Sequence, residues 1–330
     1  MVWIILLLMP ISLTAQEFPF QQEIDTIPVV IAGFDLPSPF APGMYASTPG
    51  FGDLDYDGDY DVLIGQWTGH VTYFQNHGST QASQFKYVTD DFEDLSAQWT
   101  YMSNPNLVDL DNDSDLDLVY GYSRFYRNMG TPEFCDFVYD TVLIPYGNDV
   151  LNDELVDFDN DGDYDLFCGG YYGNILYAIN IGSTAEFEFT VISENFFDID
   201  VGSFSNPEFC DIDTDNDFDL FIGNGDGKIW YYRNDGDSVN YNFTLVTHEW
   251  LDIDVGAYAS PEFCDIDGDG DFDLFVGLEA SETNQCLGDV YFYENIGTSQ
   301  NYNFQYITSN YLTMDIGNHA GQRLVDINAD

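Results

Sequence analysis

The sequence predicts an all-β fold, a β-propeller built of four-stranded blades. Three observations predict it. One acidic loop recurs at near-constant spacing, the same train of apolar and aromatic runs follows each copy, and no stretch sustains a 3.6-residue apolar period. The loop copies are DLDYDGDYD (53–61), DLDNDSDLD (109–117), DFDNDGDYD (157–165), DIDTDNDFD (211–219) and DIDGDGDFD (265–273), and DINAD (326–330) begins a sixth. Their starts lie 56, 48, 54, 54 and 61 residues apart. Four short strands fit in such a unit, which is the size of a propeller blade. The expectation is therefore five repeats and the start of a sixth.

Each element of the unit follows from its residues. The loop runs into an apolar stretch closed by glycine: VLIG (62–65), LVYG (118–121), LFCG (166–169), LFIG (220–223) and LFVG (274–277). Short apolar runs bounded by turn residues read as buried strands. A turn of variable length and an aromatic strand follow, such as Lys228-Ile229-Trp230-Tyr231-Tyr232, ending in Asn-x-Gly at Asn76, Asn128, Asn180, Asn234 and Asn295. A further β-rich stretch, for example Asn242 to Val246, completes the unit, and a segment such as SNPEF (205–209) or ASPEF (259–263) leads into the next loop. Length differences concentrate in the turn before the aromatic strand, which holds Ser281 to Leu287 in the fifth copy. Loops on a shared scaffold tolerate such changes.

Composition bounds the partners. The chain has 330 residues, 59 acidic and 6 basic, for a formal net charge of -53. Affinity for nucleic acid or an anionic membrane surface comes from Lys and Arg, so both are excluded as partners. With 45% hydrophobic and 17% aromatic residues a sizeable core can form, and the five complete loops hold 25 of the 59 acids. The acid is thus organised on a folded body.

The ends and the cysteines place the chain in the cell. Residues 2–13 (VWIILLLMPISL) precede Thr14-Ala15-Gln16. The run is too short to span a bilayer and reads as a secretory signal cleaved after Ala15, although it has no Lys or Arg ahead of it; the competing reading is an N-terminal core strand. Expected domains are a signal peptide (1–15), a linker or first strand (16–40) and the propeller (41–330). Secretion or surface display follows, with no membrane insertion. Cys135, Cys168, Cys210, Cys264 and Cys286 are too few and odd in number for a disulfide scaffold. Cys210 and Cys264, each in PEFCD, read as small buried strand residues.

Alternating carboxylates at one point repel each other unless a cation joins them. Calcium accepts six to eight oxygen ligands in flexible geometry, whereas magnesium tends to keep several waters. The candidate metal residues are Asp53, Asp55, Asp57, Asp59 and Asp61; Asp109, Asp111, Asp113, Asp115 and Asp117; Asp157, Asp159, Asp161, Asp163 and Asp165; Asp211, Asp213, Asp215, Asp217 and Asp219; and Asp265, Asp267, Asp269, Asp271 and Asp273. Side chains at loop positions 1, 3, 5 and 9 are assigned as ligands, with the carbonyl of position 7 and water, for about one Ca²⁺ per complete loop. The ion is read as structural. An EF-hand is rejected, since position 12 carries Ile64, Tyr120, Cys168, Ile222 and Val276 and no flanking helix is apparent. Solvated acidic turns without metal are the bland alternative. Position 6 must turn sharply, which Gly58, Gly162 and Gly270 do well, Asn216 tolerably and Ser114 poorly. The second site is therefore expected to be the weakest.

The D-x-D-x-D-G-D-x-D loop, followed by an apolar strand, a glycine turn, an aromatic strand and Asn-x-Gly, resembles the FG-GAP/VCBS repeat family over residues 41–330. The resemblance implies the propeller of integrin α-chain heads and many secreted bacterial proteins, whose usual seven blades would need about 380 residues at this period, so an incomplete seven-bladed propeller truncated at its C-terminus is expected. It also implies calcium in a loop between two blade strands, and ligand-binding surfaces elsewhere. The second loop departs from the pattern at Ser114, the fourth at Asn216, and the sixth at Asn328.

Signals for catalysis are thin. His70, His77, His248 and His319 form no metal or triad spacing, and GNGDG (223–227) lies between two strands, so it reads as a hairpin turn rather than a nucleotide loop. The expectation is a non-enzymatic adhesion or binding module for a protein or glycan. The alternative is the propeller of an extracellular polysaccharide-active enzyme of lyase type. Most of the 24 Tyr, 27 Phe and 5 Trp read as core, with Trp67 and Tyr171-Tyr172 the rings expected at the surface.

Overall fold

The computed structural model describes residues 47–66, 68–98, 103–145, 150–183, 186–278 and 290–312, together with a short strand pair, Val30–Ile31 and Phe34–Asp35. Among them are five antiparallel sheets of four strands each, every one a meander of consecutive strands. The blades occupy residues 48–89, 106–142, 150–193, 206–247 and 260–308. No α-helix occurs among the described residues; three short 3-10 turns do.

The fourth blade shows how the residues dictate the strands. Its second strand, Asp219–Gly223, is buried throughout. Both faces are covered by neighbouring blades, so the run Leu220-Phe221-Ile222 is continuously apolar instead of alternating. Each such side chain contributes about 1.5–3 kcal/mol on burial. The outer strand, Phe243–Thr247, has solvent on its rim and leaves Thr244, Leu245 and Val246 exposed. In each sheet the second strand is fully buried and the outer strand is the most exposed.

The first strands are Thr48–Gly52, Asn106–Val108, Val150–Val156, Asn206–Cys210 and Ser260–Cys264, and each lies against the first strand of the next blade. The glycine that closes most second strands permits the approach. A Cβ on Gly65, Gly169 or Gly223 would stand 1.8, 1.9 or 2.0 Å from the carbonyl oxygen of Ser103, Ser205 or Ala259 in the chain entering the next blade.

The fifth blade meets the first by the same rule. A Cβ on Gly277 would stand 2.1 Å from the Ser47 carbonyl oxygen, Ser47 N–H donates to the Leu278 carbonyl at 3.0 Å, and Phe51 packs on Phe275 at 4.6 Å. Apolar core fills every junction, including the one between Val62, Ile64 and Phe74 of blade 1 and Phe275, Phe292 and Tyr311 beside blade 5. An open arc of five blades would have four junctions; this ring has five. The all-β propeller expectation is met by five four-stranded blades, and among the described residues blade 5 packs directly on blade 1. Residues 326–330, with the start of the sixth loop, lie outside the described residues.

Candidate metal centre

Each acidic loop joins the first strand of a blade to the second, so the five loops crown one end of the ring. The loop backbone is held by its own carboxylates. In the first, Asp53 accepts the N–H groups of Asp57 and Gly58 at 3.1 and 3.0 Å, and Asp57 accepts Asp59 N–H at 3.1 Å. The second, fourth and fifth loops repeat this through Asp109, Asp211 and Asp265. Position 6 has positive φ in all five: Gly58 96°, Ser114 79°, Gly162 96°, Asn216 71° and Gly270 93°. Position 4 does too, at Tyr56, Asn112, Asn160, Thr214 and Gly268. That second left-handed residue was not foreseen from sequence, and Thr214 is strained there because its β-branch crowds the backbone.

This geometry gathers positions 1, 3 and 5. One oxygen each from Asp53, Asp55 and Asp57 lie within 4.8 Å of one another, and the corresponding triplets of the other four loops do the same. Position 7 adds to them. One oxygen of Asp59, Asp115, Asp163 and Asp271 is buried without a hydrogen-bond partner, as is one oxygen of Asp55, Asp111 and Asp157. Burial, then the neighbouring position-5 carboxylate, pushes Asp59, Asp115, Asp163, Asp217 and Asp271 up to about 6. A hard cation fits such oxygens, since it supplies the charge that the protein does not.

Position 9 is differently engaged. Asp61 accepts Asn76 N–H at 2.7 Å and the Tyr73 hydroxyl at 2.9 Å. Asp165 and Asp219 do likewise with Asn180 and Tyr177, and with Asn234 and Tyr231. Asp117 uses the N–H groups of Asn128 and Leu110. Asp273 accepts Asn295 N–H at 2.8 Å, and its other oxygen has no partner because Phe292 replaces the tyrosine. This residue braces the second strand to the third, a role the loop pattern alone does not reveal. The second loop has a further peculiarity: the Arg127 guanidinium forms an ion pair with Asp111, its position-3 carboxylate.

Sequence reasoning also passed over three glutamates. Glu154, Glu208 and Glu262 stand opposite Phe167, Phe221 and Phe275 on the first strands of blades 3, 4 and 5, where blades 1 and 2 carry Gly50 and Asn106. Glu208 accepts Phe263 N–H of the next blade at 3.2 Å. Removal from bulk water raises all three carboxyls, Glu262 to about 8, and their mutual repulsion adds to this at Glu154 and Glu208. Glu262 lines a cavity of about 520 Å³ on the acidic face, with Tyr56, Tyr60, Phe272 and Asp115. The signal was visible as the glutamate three residues before three of the loops.

Other expected positions fall into place. Cys168, Cys210 and Cys264 are buried free thiols and Cys135 is half-buried, while Cys286 lies outside the described residues. GNGDG forms the turn between Asp219–Gly223 and Ile229–Asn234. Tyr171 and Tyr172 are 47% and 67% exposed; Trp67 and His319 lie outside the described residues. Among the described residues no helix is long and apolar enough to cross a membrane.

Fold and loops together define a β-propeller whose blades each carry an aspartate-rich hairpin loop. Residues 211–276 match the family model described as FG-GAP-like repeat, and the same loop, strands and Asn-x-Gly recur in all five blades. The family match and the five four-stranded blades together support an FG-GAP/VCBS-repeat propeller. No curated protein matches its sequence. Among solved structures it is similar to a GH62 hydrolase crystallised with xylotriose (12% identity, 73% of this chain and 88% of that one, TM-score 0.47). It is also similar to BBS1N in complex with ARL6DN, in a mercury-soaked crystal (13% identity, 78% of each chain, TM-score 0.36) and a lead-soaked one (13%, 83% and 82%, 0.36). Likeness of this degree says nothing of activity or partner.

Proposed function

We propose that this protein is an exported, calcium-stabilised propeller that binds a protein or glycan ligand outside the cell or at its surface. The observation that supports it most is the aspartate triplet gathered in each of the five loops, with buried carboxylate oxygens that lack donors beside it in four of them. Positions 1, 3 and 5 would hold the ion, with position 7 offering a carboxylate as well as its carbonyl. The bound cation supplies positive charge where the loops have none. The chain's own part is to hold two left-handed residues per loop and to fix the loop to the third strand through position 9. Export rests on the apolar run at 2–13 and the small-residue site after it.

Thermal unfolding of the full chain tests the metal reading. Calcium is expected to raise Tm by many degrees, excess EGTA to reverse this, and magnesium to restore little. A transition indifferent to calcium would defeat it.

The first-strand glutamates favour a second reading, a polysaccharide-active enzyme. A carboxyl held above its usual range can give up a proton near neutral pH, as general acids do. New reducing or unsaturated ends on a polysaccharide, lost in Glu262→Gln, would establish it; unchanged chains would dismiss it.

A further inference from the structure

The end of the ring opposite the acidic loops carries a different surface. In a four-stranded meander, the turn from second to third strand and the connection into the next blade both fall on that end. Four aromatic rings line up there across blades 3, 4 and 5: Tyr172 and Tyr171 at 5.2 Å, Tyr171 and Phe204 at 4.5 Å, Phe204 and Tyr258 at 4.3 Å between centroids. The two tyrosines of the turn are exposed and the other two rings are half-buried.

The backbone is strained to place them. Phe204 and Tyr258 have φ of 48° and 51°, a strained region that bulky side chains rarely enter. The same clamp holds both: Phe204 N–H donates to the Tyr171 carbonyl at 3.1 Å, and Tyr258 N–H to the Gly225 carbonyl at 3.3 Å. Gly225, where blade 3 has Tyr171, keeps the row continuous. A Cβ there would stand 2.4 Å from Ser203 Oγ and 3.2 Å from the Phe204 ring. Asparagine would meet the same φ at less cost, yet both positions carry rings.

We propose that this row is a stacking platform for a neutral polysaccharide, an inference that rests on the binding-module reading above and names its ligand. Rigid aromatic rings suit the C–H faces of sugars, and tyrosine hydroxyls suit their hydroxyl groups. With a net charge of -53 and 6 basic residues, the surface repels uronic-acid or sulfated chains. Four rings make a small patch beside the about 800 Å² per partner of a standard protein interface.

The test is affinity electrophoresis and calorimetry of the full chain, with calcium, against soluble xylan, mannan and β-glucan, and against polygalacturonate. The expected result is retardation by at least one neutral polymer and none by polygalacturonate. The Tyr171→Ala/Tyr172→Ala double variant should lose tenfold or more in affinity. Phe204→Asn should lose affinity while its Tm stays level or rises, so lost binding cannot be ascribed to unfolding. Absence of neutral-polymer binding with the calcium-dependent Tm shift intact would overturn the platform and leave the metal reading standing. Equal binding of polygalacturonate, or undiminished binding by both variants, would also overturn it, as would a protein ligand that survives both substitutions.

Discussion

Ser114 and Arg127 both act on the second acidic loop. Ser114 holds φ 79° where three other loops have glycine, and Arg127 pairs with the carboxylate of Asp111. Relieving the first strain is worth about 1 kcal/mol, or ~5-fold in affinity. Ser114→Gly and Arg127→Gln should each tighten the second site, measured by calcium titration of variants in which the other loops are disabled. A second site as tight as the first in the unaltered protein would contradict both arguments. The first handicap was legible in the sequence, because a turn at position 6 asks for glycine. The second was not, since Arg127 is remote from Asp111 along the chain and meets it only through the register of the third strand. The left-handed position 4 was hidden for another reason: its occupants, Tyr56, Asn112, Asn160, Thr214 and Gly268, share no chemistry.

Among elements, the third strand and its Asn-x-Gly turn tie each blade together. Asn180 Oδ1 accepts Gly182 N–H at 3.1 Å and Glu188 N–H at 2.9 Å, while its own N–H donates to Asp165. One buried residue thus joins the hairpin of the outer strand to the acidic loop, and the other four asparagines do the same. Asn180→Ala leaves those N–H groups without an acceptor, a cost of about 1–3 kcal/mol. The expected fall in Tm is several degrees, and Asn180→Asp should recover most of it, since a carboxylate oxygen accepts the same bonds. A Tm unchanged by the alanine would refute the tie. The sequence displayed this asparagine five times but not its purpose, because the acceptor role depends on a partner eight residues on, across a hairpin. Strand content was plain, since loop, apolar run and turn are local signals.

For the whole molecule, metal and pH act together. On the calcium reading proposed above, each site would add about 1.4 kcal/mol at a concentration ten times Kd, so five would add roughly 7, comparable to the whole stability of a typical domain. Calcium removal should then decide whether the ring persists. The first-strand glutamates set the opposite trend with pH. Burial holds Glu262 at about 8 against an ordinary 4.5, so the folded protein keeps this proton more tightly than the unfolded chain does. Its stabilising contribution is whole below pH 4.5 and is lost as pH rises through 8. Glu262→Gln should flatten the fall of Tm between pH 5 and 9 and be the more stable form at the upper end; parallel curves for the two proteins would sink the idea. The packing of blade 5 on blade 1 was the part of the fold least legible in sequence. The repeat fixes the unit, while the count around the axis depends on how each blade tilts on its neighbour, which no local motif encodes.

Every blade is one uninterrupted stretch of chain, and none borrows a strand from another. Among the described residues, the junction of blade 5 with blade 1 is thus the one place where neighbouring blades are not joined directly by chain, and there it rests on side-face packing and hydrogen bonds such as those of Ser47 with Leu278. A pull on the two ends of the propeller would part it there first, like an unlatched bracelet, leaving all five sheets intact. Ring opening and blade unfolding should accordingly appear as separate events in a single-molecule stretching trace, the first at low force and with no loss of strand content.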